Sequence, residues 1–415
     1  MRVLMLTPTP PAPAASSAVA LVAWAQLSFL RQRHEITVVT TAGPDPAEWE
    51  AVERLRDAGV EVRAHRRVMT TRAAGARRWL RDASRWMVSG DPMYVVWHHE
   101  AGVQRALDDL LREGHFDIVH VNDGAMARYS LRTRAPRLLV EIEVRAPRPP
   151  DWSRPLRGGI YRGALDELDW HRWRAHQRGV WSAMDRIEVF TERDARVMAS
   201  LAPAVAPRVR VNAFGMALPA AAVPEREEEG SVLFVGNYMH APNVDAARWL
   251  ALEIMPLVRA RHPDARLTLV GTDPRGAVRG LAGEGVTVRG WVPDVERAIE
   301  RAAVVAAPVR IGGGQRMKVL QAMAMGRAVV TTPRGAEGLM IDGGPPPLLV
   351  ADTAEEIAGA ISALLDDRAA RHTLGRRARA VAEERHSAEA YGRRIDAGYA
   401  ALCPSLHPSA GASTR

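Results

Sequence analysis

The sequence predicts an α/β protein of two halves in tandem, each built on a parallel sheet. Three observations predict it. Strand-like and helix-like runs alternate along the chain, the pattern of parallel strands joined by crossover helices. The alternation is broken by an Arg- and Trp-rich stretch at 147–181 and by a Pro- and acid-rich stretch at 217–230, after which it restarts more cleanly. In the second half three strand-like runs end on glycine, at Gly236, Gly271 and Gly290. At 415 residues the chain has room for two domains, each large enough to bury its own core.

Taken in order, residues 2–6 read as a buried strand, 19–30 as a helix and the β-branched run 35–41 as a strand. A helix at 47–58 closes at Gly59, and 60–63 is a short strand. An amphipathic helix at 101–112 stops before Gly114, with strands following at 117–121 and 137–142. Beyond the Trp/Arg stretch, which holds Trp152, Trp170, Trp173 and Trp181, strands return at 184–191 and 208–212. The second half reads strand 231–235, helix 244–261, strand 266–270, strand 286–289, helix 295–302 and strand 303–308. The glycine run 312–314 follows, then helix 315–325 capped by Gly326, strands 328–332 and 348–350, and helices 354–367 and 369–385. The domain expectation is therefore an N-terminal domain at 1–216, a linker at 217–230 and a C-terminal domain at 231–385. A helix at 386–403 is placed to pack back on the first domain, and 404–415 reads as a disordered tail. Ligands of doubly wound sheets sit at the carboxyl ends of strands, so two such halves place the active site between them.

Hydrophobic residues make up 47% and charged residues 25%, as in an ordinary globular protein. A lone cysteine, Cys403, rules out an internal disulfide and fits a reducing compartment, so a cytoplasmic location is expected. The first apolar runs are split by a Pro-rich loop and followed by a charged turn and a further strand, which reads as strand, loop, helix and strand rather than a signal sequence. No apolar run reaches the roughly 20 residues that cross a bilayer. The formal net charge of +8 favours anionic partners, although arginines scattered over every segment also fit a compositional bias. Nucleic acid is not expected, because the basic residues are not interleaved with a stacking platform. The Trp/Arg stretch suits either helices packed on the first domain or a peripheral contact with the inner face of a membrane.

The sharpest local feature is Gly312-Gly313-Gly314-Gln315-Arg316-Met317-Lys318, where a strand ends, three glycines follow and a helix begins. Glycines let a backbone approach a ligand, and a helix N-terminus offers free N–H groups and partial positive charge. Arg316 and Lys318, expected in the first turn, oppose the helix dipole unless an anion is bound there. Lys318 is the only lysine in a chain that otherwise uses arginine, which points to a need for a compact charge. A diphosphate meets that need. No Gly-Lys-Ser/Thr follows Gly271, the dinucleotide fingerprint is absent, and no Cys/His cluster has zinc spacing; His98-His99-Glu100 lacks the helical spacing of a metal site. No metal site and no cofactor are expected.

The run Phe234-Val-Gly-Asn-Tyr-Met-His-Ala-Pro-Asn243, then Gly290-Trp-Val-Pro-Asp294, the glycine run through Gly326, and Val329-Val-Thr-Thr-Pro-Arg-Gly-Ala-Glu-Gly338 resemble family 4 glycosyltransferases. In the first half, the runs Phe116–Asn122 and Arg186–Asp194 resemble that family's N-domain signatures. The resemblance implies a GT-B fold, two Rossmann-like domains with parallel sheets facing across a cleft. It implies a nucleotide-diphosphate sugar donor, transfer with retention to the hydroxyl of a glycan, lipid-linked or natural-product acceptor, and no obligatory metal. It assigns the donor diphosphate to Arg316 and Lys318, close backbone approach to Gly312, Gly313 and Gly314, the cleft lining to Gly236 and Asn237, and the nucleobase to the main chain of Val292. The alternatives are a catalytically impaired scaffold and a GT-B sugar-nucleotide epimerase.

Three departures from the family pattern stand out. Of its pair of glutamates, the first is Gly313 here and the second is Gln321, which can bond ribose hydroxyls without charge. Asn122 stands where the family has a histidine, leaving His120 the nearest histidine to the expected catalytic position. The glycine pair after the first strand is replaced by Ala14-Ala15-Ser16-Ser17.

Overall fold

The computed structural model describes residues 1–13, 17–67, 75–142, 144, 160–222, 226–273, 275–339 and 347–405. Ala14–Ser16, Trp152 and the expected tail beyond Ser405 lie outside them. The chain forms two compact units, Met1–Asn212 with the chain from Tyr391, and Ala213–Ala390.

The first unit holds strands β1 (Arg2–Thr7), β2 (Glu35–Ala42), β3 (Glu61–Arg66), β4 (Ile118–Asn122), β5 (Arg137–Val140), β6 (Arg186–Val189) and β7 (Val209–Val211). They form one sheet in the order β3-β2-β1-β4-β5-β6-β7, every pair parallel. Its helices are α1 (Ala18–Leu30), α2 (Pro46–Asp57), α3 (Gly75–Ser89), α4 (Met93–His98), α5 (Ala101–Glu113), α6 (Ile160–Ser182) and α7 (Glu192–Leu201). The chain winds outward from β1 to β3 and then returns to β4, so the topological switch lies between β1 and β4. Strands covered on both faces must be apolar throughout, and in β4 every residue is buried, the polar His120 and Asn122 included.

The second unit repeats the scheme with β8 (Glu228–Val235), β9 (Arg266–Val270), β10 (Val286–Gly290), β11 (Ala302–Ala307), β12 (Ala328–Thr331) and β13 (Leu349–Val350), in the order β10-β9-β8-β11-β12-β13 and again parallel. Its helices are α8 (Ala241–Trp249), α9 (Met255–Arg261), α10 (Val295–Arg301), α11 (Met317–Ala324), α12 (Ala354–Asp366) and α13 (Arg368–His386). α12 starts on a capping box: Thr353 accepts from the Glu356 N–H, and the Glu356 carboxylate accepts from the Thr353 N–H.

Several elements differ from the sequence expectation. The helix expected at 244–261 is interrupted at Leu250–Ile254, where it winds as a π-helix. Pro256 has no N–H for the turn behind it, so the chain widens there before α9. β8 begins at Glu228, three residues before the expected strand. Part of the Trp/Arg stretch is the long helix α6, and neither α3, whose arginines blur the apolar period, nor the six-residue α4, too short to show one, is expected from the sequence.

The last helix, α14 (Ala388–Leu402), belongs to the first unit from Tyr391 onward. Gln26 Nε2 donates to Tyr391 Oη at 2.8 Å, His34 Nε2 lies 2.7 Å from Asp396 Oδ1, and Arg394 Nε donates to Asn212 Oδ1 at 2.6 Å. Gly392 gives α14 room: a Cβ there would stand 2.4 Å from Phe29 Cγ.

Candidate functional site

The carboxyl ends of the second sheet position the site. Because all its strands run the same way, Gly236 after β8, Gly271 after β9, Gly290 at the end of β10 and the loop after β11 emerge on one edge. Backbone bonds stitch that edge together: Gly236 N–H donates to Val270 O at 2.9 Å, Gly271 N–H to Gly290 O at 2.7 Å, and Tyr238 N–H to Thr272 O at 2.9 Å.

The loop after β11 makes its turn with Gly312 at φ +93° and Gly314 at φ +76°, a region that L side chains rarely adopt. Three side chains hold the loop. Arg310 forms a two-point ion pair with Asp245 of α8, at 2.7 and 3.1 Å, and its guanidinium lies 4.2 Å from the Trp249 ring centroid. Gln315 Oε1 accepts from Phe214 N–H at 2.7 Å while its Nε2 donates to Phe214 O at 3.1 Å. Arg316 Nη1 donates back to Gly313 O at 2.8 Å and Nη2 to Ile311 O at 3.4 Å.

These contacts correct one expectation. The helix begins at Met317, and Arg316 is its N-cap, with extended φ −90° and ψ 96°, rather than a first-turn residue. Gln315 is committed to Phe214, and the Arg316 guanidinium is committed to loop carbonyls, so neither continues the helix backward. Gln315→Ala takes from the buried Phe214 N–H the acceptor that Gln315 gives it, while the Phe214 C=O keeps its contact with His386 Nδ1 at 2.9 Å. It is expected to cost about 1–3 kcal/mol and to speed amide exchange at Phe214, read by hydrogen–deuterium exchange and chemical denaturation.

Lys318, in the first turn of α11, reaches the start of the unit rather than its own loop. Its Nζ donates to Asn243 Oδ1 and lies 4.8 Å from the Phe234 ring centroid. Asn243 Nδ2 donates to Asn237 O at 2.7 Å, and Asn237 Oδ1 accepts from Met239 N–H at 3.0 Å. Asn237, after β8, Asn243, in the first turn of α8, and Lys318, in α11, therefore form one chain of contacts. Burial, and then the neighbouring Arg316 guanidinium, push the Lys318 ammonium down to about 7. The negative charge of an arriving phosphate would favour the ammonium against both effects.

The expected donor residues divide accordingly. Gly236, Asn237, Gly312 and Lys318 come together: a Cβ on Gly236 would lie 3.1 Å from Asn243 Cβ, and one on Gly312 would lie 3.4 Å from Pro242 Cγ and from Arg316 Nη2. Gly313 gives its carbonyl to Arg316, and Gly314 supplies the second left-handed turn. Gln321 lies three residues after Lys318 and so on the same side of α11. Val292 stands beyond β10, two strand spacings from β8, roughly 10 Å. It lines a 430 Å³ cavity with Arg289, Pro293, Asp294 and Arg297.

His120 and Asn122 lie in the first unit, both wholly buried. His120 Nδ1 is 2.6 Å from Tyr399 Oη of α14. Burial pushes its imidazole down to about 3, an effect that Asn122, two residues on along the same face, partly offsets. His98 and His99 are also engaged, with His98 Nδ1 2.8 Å from Tyr94 O and His99 stacked on Tyr129 at 5.0 Å. Asn243, Phe234 and Gln315 are the residues that sequence reasoning missed. Asn243 and Phe234 bound a recognised motif, but nothing local indicates that they meet Lys318.

Residues 229–367 match the family model described as "Glycosyl transferases group 1". The chain carries a glycosyltransferase domain. Its enzyme class is that of sugar transfer. The matched residues contain the glycine loop, Lys318, Asn243 and Val292. No curated protein matches the sequence. Among solved structures, Anabaena HepE in complex with UDP is 13% identical, covers 97% of this chain and 100% of its own, and has a TM-score of 0.62. Sucrose-phosphate synthase from Thermosynechococcus elongatus is 16% identical over 97% of this chain and 99% of its own, with a TM-score of 0.67. TarM of S. aureus is 10% identical over 96% and 99%, with a TM-score of 0.65. At such identities these likenesses show the fold: α/β, with two Rossmann-like domains of the GT-B type, the second of which holds the matched residues 229–367.

Proposed function

We propose that the protein is a retaining, family 4 type glycosyltransferase that moves a sugar from a nucleotide-diphosphate donor to an acceptor hydroxyl. The observation that carries this is the place of Lys318. Its ammonium sits in the first turn of α11, behind a loop with two left-handed glycines, and bridges to the β8 side through Asn243. The β-phosphate of a donor would lie against the α11 N-terminus, Lys318 and Arg316. Uridine is the first base to try, since HepE was solved in complex with UDP and with UDP-glucose.

In the reaction, the bond from the sugar C1 to the phosphate oxygen breaks, and the acceptor oxygen bonds C1 from the same face. The acceptor proton passes to the departing phosphate, so retention needs no strong enzymatic base. This chain's own work is to stabilise negative charge on the leaving diphosphate. The reading calls for no obligatory metal and no further cofactor. It places the protein in the cytoplasm, peripheral to the inner face of the membrane; no described helix is long and apolar enough to cross one.

The test is mass-spectrometric screening of the purified protein against a panel of nucleotide sugars, with calorimetric titration of each. Consumption of one donor is the expected result. Binding without consumption would identify an impaired scaffold, and neither binding nor consumption would overturn the reading.

A further inference from the structure

Among the described residues thirteen large apolar side chains are exposed, and six of them lie on three neighbouring helices of the first unit: Leu80, Met87 and Val88 on α3, Trp97 on α4, and Leu165 and Leu168 on α6. Scattered exposed apolar residues are ordinary, but such a concentration marks a surface that meets something. The three helices are fastened together. Trp86 Nε1 and the Met93 N–H both donate to Asp169 Oδ1 at 2.7 Å, the Arg172 guanidinium stands 4.2 Å from the Trp86 ring centroid, and Tyr94 packs edge-on against Trp173.

This packing settles which side chains face inward. Trp86, Trp173 and Trp181 are buried, and Asp82 is buried on the Trp86 side of α3. Of the tryptophans that suggested a membrane contact from sequence, Trp173 and Trp181 are interior and Trp170 is half-buried; Trp152 lies outside the described residues. What α3 turns outward is Leu80, Arg81, Ser84, Arg85, Met87 and Val88, with Leu80 59%, Met87 67% and Val88 87% exposed. Leu80, Ser84, Met87 and Val88 follow helical spacing along one stripe. Arg81 and Arg85 lie beside it, Arg81 also bonded to the buried Asp82 at 3.1 Å; among the described side chains of α3 no carboxylate is exposed, and the exposed Glu167 of α6 pairs with His171.

We propose that the outer face of α3 is a docking surface for an anionic lipid bilayer. The charge pattern selects this occupant. Arginine stems can lie along the apolar stripe while their guanidinium groups meet lipid phosphates, and the apolar side chains enter the headgroup boundary. The proposal deepens the peripheral-membrane part of the reading above by naming its surface, and it is independent of the donor.

The test is co-sedimentation of the full-length protein with vesicles of equal phosphatidylglycerol and phosphatidylcholine, and with phosphatidylcholine alone. Wild-type protein is expected to pellet with the anionic vesicles and to be released by high salt. Met87→Asp with Val88→Asp should lower partitioning at least about tenfold, and Arg85→Ser about fivefold. Leu252→Asp, exposed on the second unit, should change nothing. All these side chains are exposed, and circular dichroism and melting confirm that each variant is folded. Wild-type protein that stays in the supernatant overturns the proposal, as does binding that the α3 variants do not weaken. Self-association lost in those variants without vesicle binding would assign the face to a protein partner instead and equally refute it. Donor consumption by the α3 variants is measured separately, so failure here leaves the transferase reading standing.

Discussion

Lys318→Ala is expected to lower kcat/KM for the nucleotide-sugar donor by about 10²–10³-fold with the fold intact. The lost group is a cation placed where the diphosphate gathers negative charge as the sugar departs. Lys318→Arg should not restore the rate. The ammonium is compact and sits between Asn243 Oδ1 and the Phe234 ring, whereas a guanidinium is broad and planar. The pH dependence gives an independent check. With its pKa near 7 in the unliganded protein, Lys318 is charged below that pH and neutral above it. A diphosphate binds the charged form, so donor affinity should weaken as pH rises through 7, approaching tenfold per unit. Lys318→Arg stays charged and should lose that dependence. Calorimetric donor titrations from pH 6 to pH 8.5 read both. A flat wild-type profile would separate Lys318 from the diphosphate.

Gly271→Ala should be among the most destabilising single changes in the second unit. Gly271 has φ +139°, and a Cβ there would stand 1.7 Å from Gly236 O and 2.7 Å from Gly236 C. Both obstacles are backbone, so no side chain can yield. Relief would require the ends of β8 and β9 to separate, breaking the Gly236–Val270 and Tyr238–Thr272 bonds at the site's edge. A cost above about 4 kcal/mol is expected, lowering the unfolding midpoint by about 10 °C or more. Gly280→Ala is the control. Nothing stands within 4 Å of a Cβ there and its φ is not positive, so a change within about 0.5 kcal/mol is expected. Differential scanning calorimetry compares the two, and a Gly271→Ala protein as stable as wild type would contradict the geometry.

Much of this was legible before any coordinates. Strands and helices declare themselves through period and β-branching, and the glycines at 236, 271 and 290 punctuate the strands that the structure contains. Less legible were contacts that depend on which strands become neighbours. Asn243 meets Lys318 from 75 residues away, and Gln315 meets Phe214 from 101 away. Arg316 reads as helical from its neighbours, yet its own guanidinium holds it at the cap. His120 reads as a candidate catalytic group, and only the fold brings Tyr399 Oη, 279 residues later, to its Nδ1. The outward stripe of α3 was hidden because exposure belongs to packing: Trp86 and Val88 look equally apolar in the sequence, and one is interior.

By itself the sequence determined the α/β class, the tandem halves and the glycine loop with its single lysine. Each of these follows from local physics: side-chain period, β-branching, and glycine's access to positive φ. Tertiary structure alone decided which groups surround Lys318, where Arg316 stops the helix, which histidines are enclosed and which apolar side chains remain outside. Those outcomes depend on burial and on strand order, and both arise only when distant segments share one sheet and one core.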